Sequence, residues 1–210
     1  MTNMKKLTFL LLFIWPCLLK AQFGVKAGLN FTNVTNASSI NNQSSSGFNI
    51  GIFYATSNKK VLSSKTELVF SRQGLNYQSN NITNKVNLDY IMMPQYMCIN
   101  ITRYFQIQVG FQLAYLLSAK SDSAAPSNPL SGTSYGKALD YYNRFNYGIG
   151  GGVEVHPYKG SLIGVRVNLS LNDLYKIPDE NSSGGQTGYS PSVNAKTNLF
   201  QIYLGWAFGK

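Results

Sequence analysis

The sequence predicts an all-β fold, an eight-stranded antiparallel up-and-down transmembrane β-barrel. Three observations predict it. Apolar residues fall at every second position in segment after segment, polar connections alternate between short and long, and charge is scarce. Charged residues make up 12% of the 210 residues, about half the level usual in soluble domains. The alternation is cleanest in "RYFQIQVGFQLAYLL", residues 103–117. There Phe105, Ile107, Val109, Phe111, Leu113, Tyr115 and Leu117 share one parity, and Gln106, Gln108, Gly110, Gln112 and Ala114 the other. A period of two sends successive side chains to opposite faces of a sheet, so this strand is large and apolar on one face, small and polar on the other.

In chain order, the first element stands outside the barrel. Residues 1–21 set Lys5 and Lys6 ahead of an apolar run from Leu7 to Leu19, followed by Lys20 and Ala21. This reads as a secretory signal peptide cleaved after Ala21. A spanning helix needs about 20 apolar residues, and this run is too short. Cys17 follows Ile14, Trp15 and Pro16, a poor match to the small residues that precede a lipoprotein cysteine. The barrel domain is then 22–210, and Cys98 is the one cysteine left in it. With no internal disulfide available, the sheet itself must hold an exported domain together.

Eight strands follow, at 24–33, 47–57, 61–73, 85–99, 103–118, 142–156, 161–175 and 197–208. In "SLIGVRVNLSLND" the residues Ile163, Val165, Val167, Leu169 and Leu171 oppose Gly164, Arg166, Asn168, Ser170 and Asn172. In "NLFQIYLGWAF" Phe200, Ile202, Leu204, Trp206 and Phe208 oppose Gln201, Tyr203, Gly205 and Ala207. Helical spacing fits none of these segments. Short turns are expected at 57–60, 100–102 and 157–160, and longer polar stretches at 34–46, 74–84, 119–141 and 176–196. Outer-membrane barrels sort their connections in this way, with short periplasmic turns, long external loops and both termini on the periplasmic side.

Eight strands enclose a space only wide enough for side chains. With the apolar set inside, a soluble barrel would present Gln, Asn, Gly and Ser to water with few Lys or Glu, an unusual surface. The apolar face is therefore expected to meet lipid, where only a closed barrel satisfies the backbone groups. The inward glycines Gly28, Gly51, Gly110, Gly148, Gly150, Gly152 and Gly164 then leave room for a few larger polar groups. The run Gly150, Gly151 and Gly152 lacks the Lys-Ser/Thr pair and following helix of a phosphate loop, and reads as lumen packing with a bulge.

The stretches "FGVKAGLNFTNV", "ELVFSRQGLNY", "LDYIMMPQYM" with its mid-strand Pro94, and the aromatic-rich last strand resemble the small outer-membrane β-barrel proteins of the PorT type in Gram-negative bacteria. The likeness covers nearly the whole of 22–210. It implies the barrel and an outer-membrane location, and it implies no particular activity, because the family is defined mostly by its fold. The chain departs from the usual outer-membrane ending, since Gly209 and Lys210 follow Phe208.

By parity, Lys26, Lys65, Glu67, Glu154 and Arg166 all point into the lumen. Ionisable groups at membrane depth must pair with one another, so the five are expected to form a charge network that plugs the barrel. His156, the sole histidine, falls beside Pro157 at a periplasmic turn. It is the wrong end for a catalytic rim, and one imidazole without clustered ligands makes no metal site. No cofactor is expected.

Removing Lys5, Lys6 and Lys20 leaves 15 bases against 8 acids. The bases Lys59, Lys60, Arg103, Lys159 and Lys210 form a periplasmic rim, whereas Asp122, Asp140, Asp179 and Glu180 fall in external loops. Such a rim suits lipid head groups or an acidic periplasmic protein, and nucleic acid is no partner for an exported barrel. Asn33, Asn36 and Asn81 open eukaryotic-type glycosylation triplets that an Asn-rich chain produces by chance. Ser123, in Asp122-Ser123-Ala124, sits in a triplet resembling a bacterial O-glycosylation site. The tyrosines Tyr135, Tyr141 and Tyr142 are expected either as a partner anchor or as an aromatic girdle at the membrane boundary. The reading overall is a non-enzymatic outer-membrane barrel, surrounded by outer-membrane lipid and serving as an accessory subunit or surface-binding module of a larger envelope assembly. A small channel, and an enzyme with an external-loop active site, are the alternatives.

Overall fold

Each strand pairs antiparallel with the next in the chain, and the last pairs with the first. The computed structural model describes residues 21–35, 41–56, 60–79, 82–121, 142–175 and 195–208. Its strands are β1 (Ala21–Thr35), β2 (Asn41–Gln43), β3 (Ser45–Thr56), β4 (Leu62–Ser79), β5 (Ile82–Asn100), β6 (Phe105–Ser121), β7 (Phe145–Val155), β8 (Ser161–Ser170) and β9 (Lys196–Ala207). β2 and β3 lie on either side of Ser44 against the same strand, β4, and form one stave. The ring runs β1, β2/β3, β4, β5, β6, β7, β8, β9 and back to β1. This is a closed eight-stranded antiparallel barrel. Of the leader expected at 1–21, residues 1–20 lie outside the described residues.

The wall obeys the period of two. On β6, Val109 and Phe111 are 55% and 53% exposed, whereas Gln108 and Gln112 are 0% and 4%. Phe23, Val25, Leu29 and Phe31 on β1, Ile163, Val167 and Leu169 on β8, and Phe200, Ile202, Leu204 and Trp206 on β9 continue the same exposed apolar face. The polar set is the one that the barrel encloses.

Three expectations, two of them about the connections, need correction. The stretch 74–84 is no long loop, because β4 and β5 remain paired to Ser79↔Ile82. Likewise β1 continues to Thr35 and β2 begins at Asn41. Hydrophobic alternation ends where the apolar band ends, but the backbone ladder needs no apolar side chains and runs on into polar sequence. The third concerns the glycine run, where no bulge occurs: the β6–β7 and β7–β8 registers pass through Gly150, Gly151 and Gly152 without a shift. The shift lies between Asp89 and Tyr90 on β5.

Inside, side chains stack in layers along the barrel axis. Phe53, Leu162, Tyr203 and Ala207 form a small apolar cluster near the termini. A charged layer follows, then an amide layer containing Asn30, Asn49, Asn168 and Gln201, all buried. At the opposite end Leu88, Tyr90, Met92, Leu116, Tyr142, Leu174, Ala195 and Leu199 belong to a larger apolar cluster. The inward face is therefore not uniformly polar. The alternation in "LDYIMM" puts Leu88, Tyr90 and Met92 inside, beyond the charged layer.

Phe111 is the middle of the seven outward residues from Phe105 to Leu117 on β6, at mid-height in the apolar band. Phe111→Arg should cost about 2–4 kcal/mol of folding free energy in bilayers, and Leu117→Arg about 1 kcal/mol or less. Denaturant titration of the protein refolded into vesicles checks the difference.

Candidate functional site

The five inward ionisable residues lie on four strands: Lys26 on β1, Lys65 and Glu67 on β4, Glu154 on β7 and Arg166 on β8. Glycine beside them makes the room. Lys26 is flanked in register by Gly51 and Gly205, Glu154 by Gly164, and Arg166 by Gly152. At Gly164 the Tyr203 ring lies so close that a Cβ would collide with it.

Glu67 is the first node. It accepts from Lys26 Nζ at 2.7 Å and from both terminal nitrogens of Arg166, at 2.9 and 3.0 Å. The second node is Glu154, which accepts from Lys65 Nζ at 2.7 and 2.6 Å, from Gln108 Nε2 at 3.0 Å and from the Tyr203 hydroxyl at 3.0 Å. Arg166 joins the two nodes by donating to Gln108 Oε1 and, at 3.1 Å, to the Tyr203 hydroxyl. Since β4 faces β7 and β8 across the lumen, these bonds strap opposite walls together.

Three cations against two carboxylates leave one positive charge in excess. Aromatic faces receive part of it: Lys26 Nζ lies 4.0 Å from the Tyr203 ring centre, Lys65 Nζ 4.7 Å from that of Phe53, and the Arg166 guanidinium 3.9 Å from that of Tyr96. A desolvated cation over such a ring gains about 2 kcal/mol. Parity places Tyr96, Tyr203 and Gln108 inside as readily as it places the charges. Their part in the network follows from lateral register, which one strand's alternation does not reveal.

His156 also belongs to this cluster. Its Nε2 lies 3.2 Å from Glu154 Oε1, at the mouth near the termini. The signal in the sequence was parity, because two residues beyond Glu154 the chain still points inward. On the same side Gln106 donates to Asn100 at 2.7 Å and Gln108 donates to Gln106 at 2.8 Å, which extends the polar chain toward the turns.

The remaining candidates separate in space. Lys60, Arg103 and Lys159 are exposed on the three short turns and are not among the buried lumen groups. Lys59, Lys210 and Ser123 lie outside the described residues, as do Asp122, Asp140, Asp179, Glu180, Tyr135 and Tyr141. Tyr142 is neither an exposed anchor nor part of a girdle. It is 5% exposed and stacks on Tyr175 at 5.4 Å between ring centres, within the apolar cluster at the loop end. Among the described residues no group of His, Cys, Asp and Glu could hold a metal ion.

A closed ring of strands with an apolar outer wall and a filled, partly charged interior defines a membrane-spanning β-barrel. Residues 15–176 match the outer membrane protein beta-barrel domain family, more than half the chain, and the protein belongs to that family and to the outer membrane. Among solved structures it is similar to Ail, the attachment invasion locus protein of Yersinia pestis, in complex with the heparin analogue sucrose octasulfate. The identity is 14% and the TM-score 0.52, over 90% of this chain and 100% of that one. It is also similar to Neisserial surface protein A, at 12% identity and a TM-score of 0.53, over 90% and 99% of the two chains. At these identities the likeness is one of fold. No curated protein matches the sequence.

Glu67→Gln should destabilise the barrel by about 3 kcal/mol, because it leaves Lys26 and Arg166 buried without their counter-ion. Adding Lys26→Gln to that variant should recover part of the loss, since the pair is directly coupled. Unfolding midpoints of these two variants, of Lys26→Gln alone and of the unmutated protein in one detergent check both statements.

Proposed function

We propose that this barrel is non-enzymatic and serves as an accessory subunit or surface-binding module of a larger envelope assembly, as a PorT-type member of its family. The observation that carries the proposal is the filled lumen. A large apolar cluster closes the end away from the termini, two carboxylates and three cations bind one another nearer the termini, and amides occupy the layer between. The cavity between Gln73, Gln112, Asn146 and Thr197 measures about 10 Å³, room for about one water molecule. Glu67 and Glu154, the acids at membrane depth, already accept from several donors each, so neither is placed to exchange a proton with a substrate. The surfaces left for work are the outer wall, the turns and the loops.

Affinity purification of the native protein in mild detergent tests the proposal. A reproducible stoichiometric envelope partner is expected, and a lone barrel across several detergents and crosslinkers would contradict it. Planar-bilayer recording is expected to show no steady conductance. A conductance altered by Glu67→Gln would support the small channel instead.

A further inference from the structure

We propose that the three periplasmic turns together form one preorganised contact plate for the phosphate head groups of anionic phospholipids. Each turn sets a cation beside an exposed apolar side chain. Lys60 precedes Val61, which is 71% exposed; Arg103 stands between Ile101 and Tyr104, at 58% and 48%; Lys159 follows Tyr158, at 72%. The three turns join β3 to β4, β5 to β6 and β7 to β8, so the cations are spread over three of the four strand junctions at this end.

The turns are tied together. Asn100 donates its backbone N–H to Val61 O at 2.7 Å and its side-chain amide to Lys60 O at 2.7 Å, joining the first turn to the second. His156 donates its backbone N–H to Tyr104 O at 2.8 Å, joining the second to the third. Within the turns, Thr102 Oγ1 accepts from the N–H groups of Tyr104 and Phe105, each at 3.1 Å, and Ser161 Oγ accepts from Tyr158 N–H at 3.0 Å. These bonds fix the backbone at the described turn residues, which lowers the ordering cost when a ligand binds there.

Two observations select the occupant. The plate is continuous with the lipid-facing wall: Phe23, Tyr54, Trp206 and Phe208 lie at the same end along the adjacent strands β3, β1 and β9, with the Phe23 and Tyr54 rings 5.1 Å apart. Aromatic rings at this level mark the boundary between hydrocarbon and head groups. The charge at that end also has one sign. Among the described acids, Glu67 and Glu154 are consumed inside the barrel, Asp89 pairs with Arg72 at 2.6 Å, and Asp173 follows β8 at the loop end. Cations beside large apolar side chains at the edge of a lipid wall fit a phosphate above acyl chains. The Arg103 guanidinium, 4.6 Å from the Tyr104 ring centre, is held at that level.

Trp206 reads out the plate, because its ring lies against Gly160 in the third turn and the other tryptophan, Trp15, falls in the expected leader. The protein, lacking residues 1–21, is refolded into phosphatidylcholine vesicles with equal mole fractions of bromine-labelled phosphatidylglycerol or bromine-labelled phosphatidylcholine. The labelled anionic lipid should quench Trp206 at least about threefold more strongly, since each basic residue near a surface attracts anionic lipid appreciably. The variant K60Q/R103Q/K159Q should lose that preference. For the unmutated protein, about 1 M NaCl should remove most of it, as the screening length falls to about 3 Å. Equal quenching by the two lipids, or a preference that survives both the substitutions and the salt, would overturn the proposal.

Discussion

A strand in hydrocarbon has no water to receive its amide and carbonyl groups, so every one must find a partner on another strand. The pairing of β9 with β1, from Gly24↔Ala207 to Thr35↔Lys196, lets this chain meet that demand without a free edge. The interior follows from the closure. A ring of eight staves holds no more than side chains, so each large inward group needs a small one beside it. That is why Lys26 stands between Gly51 and Gly205, and Arg166 opposite Gly152. The same closure turns the apolar parity outward, because a lumen so narrow has no space for all of Phe111, Ile149, Trp206 and their companions.

The charged layer is the most demanding part of the filling. Taking a carboxylate or ammonium group out of water costs several kcal/mol, and only close, multiple partners offset this. Glu67 and Glu154 each accept from two or more donors, and the cation in excess is spread over Tyr96, Tyr203 and Phe53. Such a layer contributes little net stability compared with an apolar one of equal volume. It does fix which walls face each other, because a slip of one residue in β4 would carry both Lys65 and Glu67 to the lipid side. The interior is thereby committed to structure, and the proposed function falls to the surfaces of the barrel.

The sequence shows the wall plainly, because hydrophobic alternation is local: each residue on β6, β8 or β9 declares its face by its parity. The same rule brings Lys26, Lys65, Glu67, Glu154 and Arg166 to the lumen. It does not tell which of them meet. That depends on stagger between strands distant in sequence, and Glu67 reaches an arginine 99 residues away. Parity also cannot report height along the axis, so the inward apolar cap of Leu88, Tyr90, Met92 and Leu116 was hidden behind the expectation of a polar lumen. Tyr142, expected as a partner anchor or girdle residue, belongs to that cap. Strand ends were equally illegible, because the β4–β5 ladder continues through the mostly polar residues Asn76, Gln78, Ser79, Thr83 and Asn84. His156 was set aside for lying at a turn, although its parity matched that of Glu154.

The apolar parity faces lipid, and the polar parity faces an enclosed, dry interior. Spin labels placed one at a time from Phe105 to Leu117, in a Cys98→Ser background reconstituted in bilayers, test this arrangement most directly. Oxygen, which concentrates in lipid, should relax labels at odd positions with a maximum near Phe111, and labels at even positions should be shielded from both oxygen and a water-soluble nickel reagent. Even positions open to the nickel reagent would mean a water-filled lumen. Relaxation by oxygen at even positions instead of odd ones, or with no period of two, would contradict the account outright.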